Sequence, residues 1–162
     1  MTQEYTSEFN WENGEDAFPP ENTGLTGDSR TEARLCAVQS LYQAIIMPRD
    51  ARDVAADFET KLNKRKADKK LYRAIMASAG EGAERYHTML QAELTEKWEW
   101  NRVDPVLRAL GWAGAAELTA NPEAPVAVIL NEYLNISKAF VTPEEVGYLN
   151  KTLDNLSKKI RG

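Results

Sequence analysis

The chain has one cysteine, Cys36, and one histidine, His87, so an internal disulfide, a paired-cysteine centre and a two-histidine zinc site are all excluded. No apolar run approaches the roughly 18 residues of a membrane span, and the opening MTQEYTSEFN has neither a basic region nor a hydrophobic segment. A secretory signal is therefore not expected, and the cytoplasm is the expected location. Also missing are a glycine-rich phosphate loop, a nucleophile elbow and any alternating β-branched strand of useful length. Val126 to Leu130 comes nearest to a strand, and it lies inside a helical periodicity. The expectation is an all-α chain with no metal, no cofactor and no catalytic residues. Cys36 falls on a buried helix face and reads as a small core hydrophobe.

Positive charge is absent from the first 28 residues, which hold seven acids and no lysine or arginine. With Pro19-Pro20, three glycines and no periodicity, this stretch cannot bury enough surface to order itself and is expected to be a disordered acidic tail. The remaining 29–162 carry 18 acids against 20 bases, so the acidic total of −5 does not argue against an anionic partner for the body. The seven acids directly ahead of Arg30 and Arg34 would compete with such a partner.

What is present is helical punctuation and helical spacing. Ser29 to Glu32 reads as a capping box, and the helix after it is apolar on two sides through Leu35, Val38, Leu41 and Ile45, which marks it as the central, most buried helix, ended by Pro48. Val54, Phe58 and Leu62 predict a shorter helix over about 51–62. The charged run 61–70, with six bases, then reads as a solvated turn. A long helical region over about 67–94 is weakened by Gly80 and Gly82, where a kink or break is expected. Asp104-Pro105 opens a helix rich in small residues, through Leu118, and Asn121-Pro122 stops it. Pro125 and Pro143 start the last two helices, the second with a capping box from Thr142 to Glu145 and a stripe of Val146, Leu149, Leu153, Leu156 and Ile160. Six or seven helices are expected.

Several polar residues interrupt these patterns. Asn131 and Asn150 are poor interior helix formers, so their amides either tie helix to helix or meet a ligand. Lys138, near a helix C-terminus, is explained by the helix dipole or by a phosphate. Tyr148 serves equally as core or as a stacking platform for an unpaired base. A binding module fits this pattern better than an enzyme.

These residues resemble the NusB transcription antitermination factors. ARLCAVQSLYQ (33–43) is similar to the family's opening helix, DPVLRALGWAGAAEL (104–118) to its central one, and APVAVILNEYLNISKAF (124–140) to its Asn-Glu motif. YLNKTLD (148–154) resembles its last motif, all in family order. The resemblance implies an all-helical NusB-like domain over 29–162, in two subdomains. It would bind boxA RNA of ribosomal operons together with the ribosomal protein NusE, in an antitermination complex on RNA polymerase, and catalyse nothing. It leaves monomer and homodimer both open, and a protein-interaction scaffold with weak or no RNA binding remains the alternative.

By the same resemblance Arg30 and Arg34 match the family's arginine-rich start, thinned here by Thr31 and Glu32, and could fork onto phosphates. Tyr148 and Asn150 match the aromatic and amide of the last motif, while Lys151 replaces a small glycine. Together with Lys138, taken from its place near a helix end, these are the candidate RNA-binding residues. Asn131 and Glu132 match the Asn-Glu pair. Gly111-Trp112 departs from the family's Leu-Arg, and Ala116 from its aromatic, close to the surface that faces NusE. Arg108, Trp112 and Glu117 are the implied partner-binding residues, unless Gly111 and Trp112 trade volume inside the core.

Overall fold

The computed structural model describes residues 28–94 and 102–162. The expectation of a disordered acidic tail concerns 1–28 and, apart from Asp28, lies outside the described residues. Seven helices and no strand occur among the described residues. They are α1 (Ser29–Ile46), α2 (Ala51–Arg65), α3 (Lys69–Glu81), α4 (Ala83–Leu94), α5 (Pro105–Ala120), α6 (Val126–Ser137) and α7 (Pro143–Arg161).

The helix starts follow the chemistry of orphan N–H groups, with one correction. At α1 the cap is Asp28, not Ser29: its carboxylate accepts from Arg30 N and Thr31 N at 3.1 and 3.0 Å. Glu32 is turned to Arg65 Nε, 3.1 Å away, so the Ser29–Glu32 capping box does not form. A carboxylate outcompetes the hydroxyl beside it because it offers a full charge to the N-terminal end of the helix dipole. Asp50, Asp68 and Asp104 cap α2, α3 and α5 in the same way. The Thr142–Glu145 box at α7 is complete, with Glu145 N donating to Thr142 Oγ1 at 3.2 Å and Thr142 N to Glu145 Oε1 at 2.9 Å.

The helical region over 67–94 breaks at Gly82, as the two glycines lead one to expect. A Cβ at Gly80 would lie 2.7 Å from Arg52 Cγ, so α2 also approaches closely there. α2 runs to Arg65, past the expected end at Leu62, and stops at Lys66, which adopts the left-handed conformation with φ 57°. That conformation crowds a Cβ and costs nothing in glycine. Lys66→Gly is therefore expected to raise the unfolding free energy by roughly 0.5–1 kcal/mol. Urea denaturation checks this, and a loss of stability would contradict it.

The centre of the molecule is α5, not α1. Every residue from Ala109 to Leu118 is buried, and α5 packs on α1, α3, α4, α6 and α7. Small residues allow the approach: a Cβ on Gly111 would sit 2.6 Å from Leu90 Cδ2, and one on Gly114 2.8 Å from Leu153 Cδ2. α1 is almost as deeply buried from Ala33 to Leu41 but presses mainly on α5, α2 and α3. The two-sided apolar pattern of α1 showed depth, whereas backbone proximity, which alanine and glycine supply, decides which helix the others surround. In α7 Leu149, Leu153 and Leu156 are fully buried, worth roughly 1.5–3 kcal/mol each, with Val146 and Ile160 half-buried at the ends. Cys36 is fully buried, and burial pushes its thiol up to about 12, in keeping with an inert core hydrophobe.

Candidate nucleic-acid interface

A buried ionic centre joins α1, α5 and α6. Arg34 and Glu117 are 3% and 0% exposed, and they meet as a two-pronged pair, Nε to Oε1 and Nη2 to Oε2, both at 2.8 Å. Tyr133 Oη donates to Glu117 Oε1 at 2.8 Å and Asn121 Nδ2 to Oε2 at 3.0 Å, so the carboxylate accepts four bonds. The remaining Arg34 prong, Nη1, reaches Glu132 Oε1 at 3.1 Å, which also accepts from Thr31 Oγ1 at 3.2 Å. Burial pushes the Glu117 carboxyl up. The Arg34 fork, its charge and the Asn121 and Tyr133 donors outweigh that and hold it below the usual carboxylate range. Burial likewise works against the Arg34 charge, but Glu117 and Glu132 more than offset it and hold the guanidinium protonated.

This geometry corrects two assignments. Arg34, expected to fork onto phosphates, forks onto Glu117. Glu117, expected to face a protein partner, has no exposed surface. A guanidinium and a carboxylate in a low-dielectric interior cannot stay unpaired, so each takes the other. Glu132 takes the helix-tying role, whereas Asn131 does not: its amide is exposed, with no hydrogen bond among the described residues. Asn121, Tyr133 and Thr31 were missed as members of the centre. A single acid inside the small apolar run Ala113–Leu118 was the available signal, since such an acid is almost never buried without partners.

The α7 candidates lie elsewhere. Tyr148 is half-buried, its hydroxyl donating to Glu93 O at the end of α4 at 3.1 Å, while Asn150 and Lys151 are exposed. Asn150 makes no inter-helix hydrogen bond among the described residues. Below them Asn155 Nδ2 and Lys159 Nζ donate to the Glu93 carboxylate at 3.0 and 3.4 Å, which holds this face of α7 on α4. Lys138, the C-cap residue of α6, and Arg30, in the first turn of α1, are also exposed.

Arg108 and Trp112, one turn apart on α5, line a cleft of about 340 Å³ with Arg49, Asp50, Gly80 and His87. Arg108 is half-buried and donates through Nε and Nη2 to Val103 O at 3.1 and 3.0 Å. Trp112 is 3% exposed, donates from Nε1 to Ala79 O at 3.2 Å and meets His87 edge-on at 4.3 Å between ring centres. Trp112 is thus a core residue at the floor of the cleft, whereas the space over Gly111 is taken by Leu90. Burial, then the nearby Arg108, lower the His87 pKa. Another arginine outside the expected set, Arg161, closes the C-terminal end of α5, donating to Leu118 O, Asn121 O and Ala124 O at 2.9, 2.7 and 2.6 Å.

Among the described residues no group of three His, Cys, Asp or Glu could hold a metal ion, and no helix is long and apolar enough to cross a membrane. Fold and site together define an all-helical module in which a buried ionic centre joins helices, with Arg30, Lys138, Asn150 and Lys151 exposed. The chain belongs to the NusB family, whose model matches residues 31–158. It is 40% identical over 152 residues to the transcription antitermination proteins NusB of Brucella ovis and Brucella suis biovar 1, with 89% of each chain covered. Among solved structures it resembles T. maritima NusB with a TM-score of 0.66, covering 82% of this chain and 94% of that one at 23% identity, a likeness of fold.

Proposed function

We propose that this chain is a cytoplasmic transcription antitermination factor that binds boxA-type single-stranded RNA of ribosomal operons together with the ribosomal protein NusE, within an antitermination complex on RNA polymerase. The observation that carries this reading is the match over 31–158 with relatives of near-equal coverage that bear the antitermination name. The RNA contacts fall to Arg30, Lys138, Tyr148, Asn150 and Lys151, since Arg34 is engaged with Glu117. Tyr148 offers an aromatic face to an unpaired base, Asn150 an amide to a base edge, and the cations phosphate contacts. Arg108 is the partner-binding candidate at the cleft mouth.

Filter binding of this chain with NusE tests the reading. The expected outcome is a preference for boxA over scrambled RNA, with affinity falling as salt rises by a log–log slope of about 0.7 per phosphate contacted. No preference would sink it. A second reading, a scaffold that binds protein with weak or no RNA contact, is favoured by the thin arginine start, in which Arg30 alone faces outward. Capture of NusE without any RNA dependence would support that alternative.

A further inference from the structure

We propose that the α2–α3 turn and the start of α1 form one phosphate-binding surface for single-stranded nucleic acid, with Lys64, Lys66 and Lys70 as its cations beside Arg30. The inference rests on the RNA reading above and extends it to a segment that sequence alone reads as a solvated turn. Two bonds seat the turn on α1: Asp68 N donates to Ser29 O at 2.9 Å, and Arg65 Nε donates to Glu32 Oε1 at 3.1 Å. Arg65 Nη1 adds a contact to Gln39 Oε1 at 3.4 Å.

The pairing of charges singles this surface out. Several exposed bases elsewhere have acids: Arg49 with Asp57 at 3.0 Å, Arg52 with Asp50 at 2.8 Å, Arg73 with Glu59, and Lys158 with Asp154 at 3.3 Å, while Arg85 lies over the Tyr86 ring. Arg30, Lys64, Lys66 and Lys70 are exposed and make no ion pair among the described residues. The acids around them are already committed: Asp28 caps α1, Asp68 caps α3, and Glu32 holds Arg65. Four like charges on two adjoining segments repel one another, and a polyanion with regularly spaced phosphates relieves that repulsion while releasing its counterions. A lipid surface fits less well, because the large exposed hydrophobic side chains among the described residues, Met47 and Val128, both lie outside the turn.

The test uses the full chain with Lys64, Lys66 and Lys70 changed together to glutamine, binding single-stranded boxA and scrambled RNA over a salt series. Three lost phosphate contacts lower the log–log salt slope by about 2 and weaken low-salt affinity about tenfold or more. A control that removes the same charge from paired positions, R49Q/R52Q/K158Q, is expected to keep the wild-type slope. Because all three lysines are exposed, the thermal midpoint of the test variant should match wild type, which separates lost contact from lost fold. A slope and affinity equal to wild type, or an equal loss in the control, overturns the inference. So does lost binding to anionic vesicles with RNA affinity intact. Preference for boxA with an unaffected lysine variant sinks this surface alone. RNA binding without boxA preference, but lost in the variant, sinks the boxA reading and keeps the surface.

Discussion

Glu117→Ala is expected to lower the unfolding free energy by about 3 kcal/mol or more, within the 3–5 kcal/mol range for removing one partner of a buried ion pair. The carboxylate accepts from Arg34 twice, from Tyr133 and from Asn121, so its loss strands Arg34 and Tyr133 in the interior and takes a partner from the half-buried Asn121. Glu132 keeps one Arg34 bond, and Glu132 is 31% exposed on its side chain, which puts the loss near the lower end of that range. Against a total stability of roughly 5–15 kcal/mol the effect is large. Chemical denaturation reads it, and a loss under about 1 kcal/mol would show that the pair carries little. Replacing both partners, Arg34→Met with Glu117→Leu, is expected to recover part of the loss, because no fully buried charge is then left alone, while Glu132, 31% exposed, keeps Thr31 and water and Tyr133 loses its acceptor. The pH dependence has a definite sign. The folded carboxyl lies below its ordinary value of 4.5, so its contribution is complete above that pH and fades as pH falls through the folded value. The deficit of the alanine variant should shrink in acid.

The same centre shows what the sequence could and could not carry. Helix starts were legible because a cap is a local event: the Thr142–Glu145 box is as expected, and the start of α1 moved by one residue only because Asp28 and Ser29 are both good caps. The break at Gly82 and the core stripe of α7 were legible for the same reason, since spacing along one helix records its buried face. Pairings between helices were not. Arg34 and Glu117 stand 83 positions apart, and each taken alone is a charged residue with outward roles to offer; only the fold makes them one unit. The basic run 61–70 was legible as charge, but its seat on Ser29 is a long-range backbone bond that no local pattern encodes. Asn131 and Asn150 kept their outward option, since neither amide is used between helices among the described residues.

Trp112→Ala is expected to lower stability by about 3 kcal/mol, the lower part of the 3–5 kcal/mol seen for large aromatic truncations in cores. The ring is almost wholly buried, and its removal also strips Ala79 O of its indole donor and His87 of its edge-on partner. The cleft beside it moderates the cost, because a polar opening bounded by Arg108 and His87 lets water fill part of the space. Trp112→Phe separates the two contributions in part: it keeps most of the apolar volume and loses the donor, for about 1 kcal/mol plus a smaller cost for the narrower ring. If Trp112 served mainly as a docking residue, the alanine variant would melt like wild type and lose partner affinity alone. The core reading expects the melting temperature to fall first. His87 gives a second signal, since burial leads the lowering of its pKa. With the indole gone and water admitted, its titration should move up toward the ordinary 6.5, visible by NMR, while Glu117→Ala, across α5, should leave it in place.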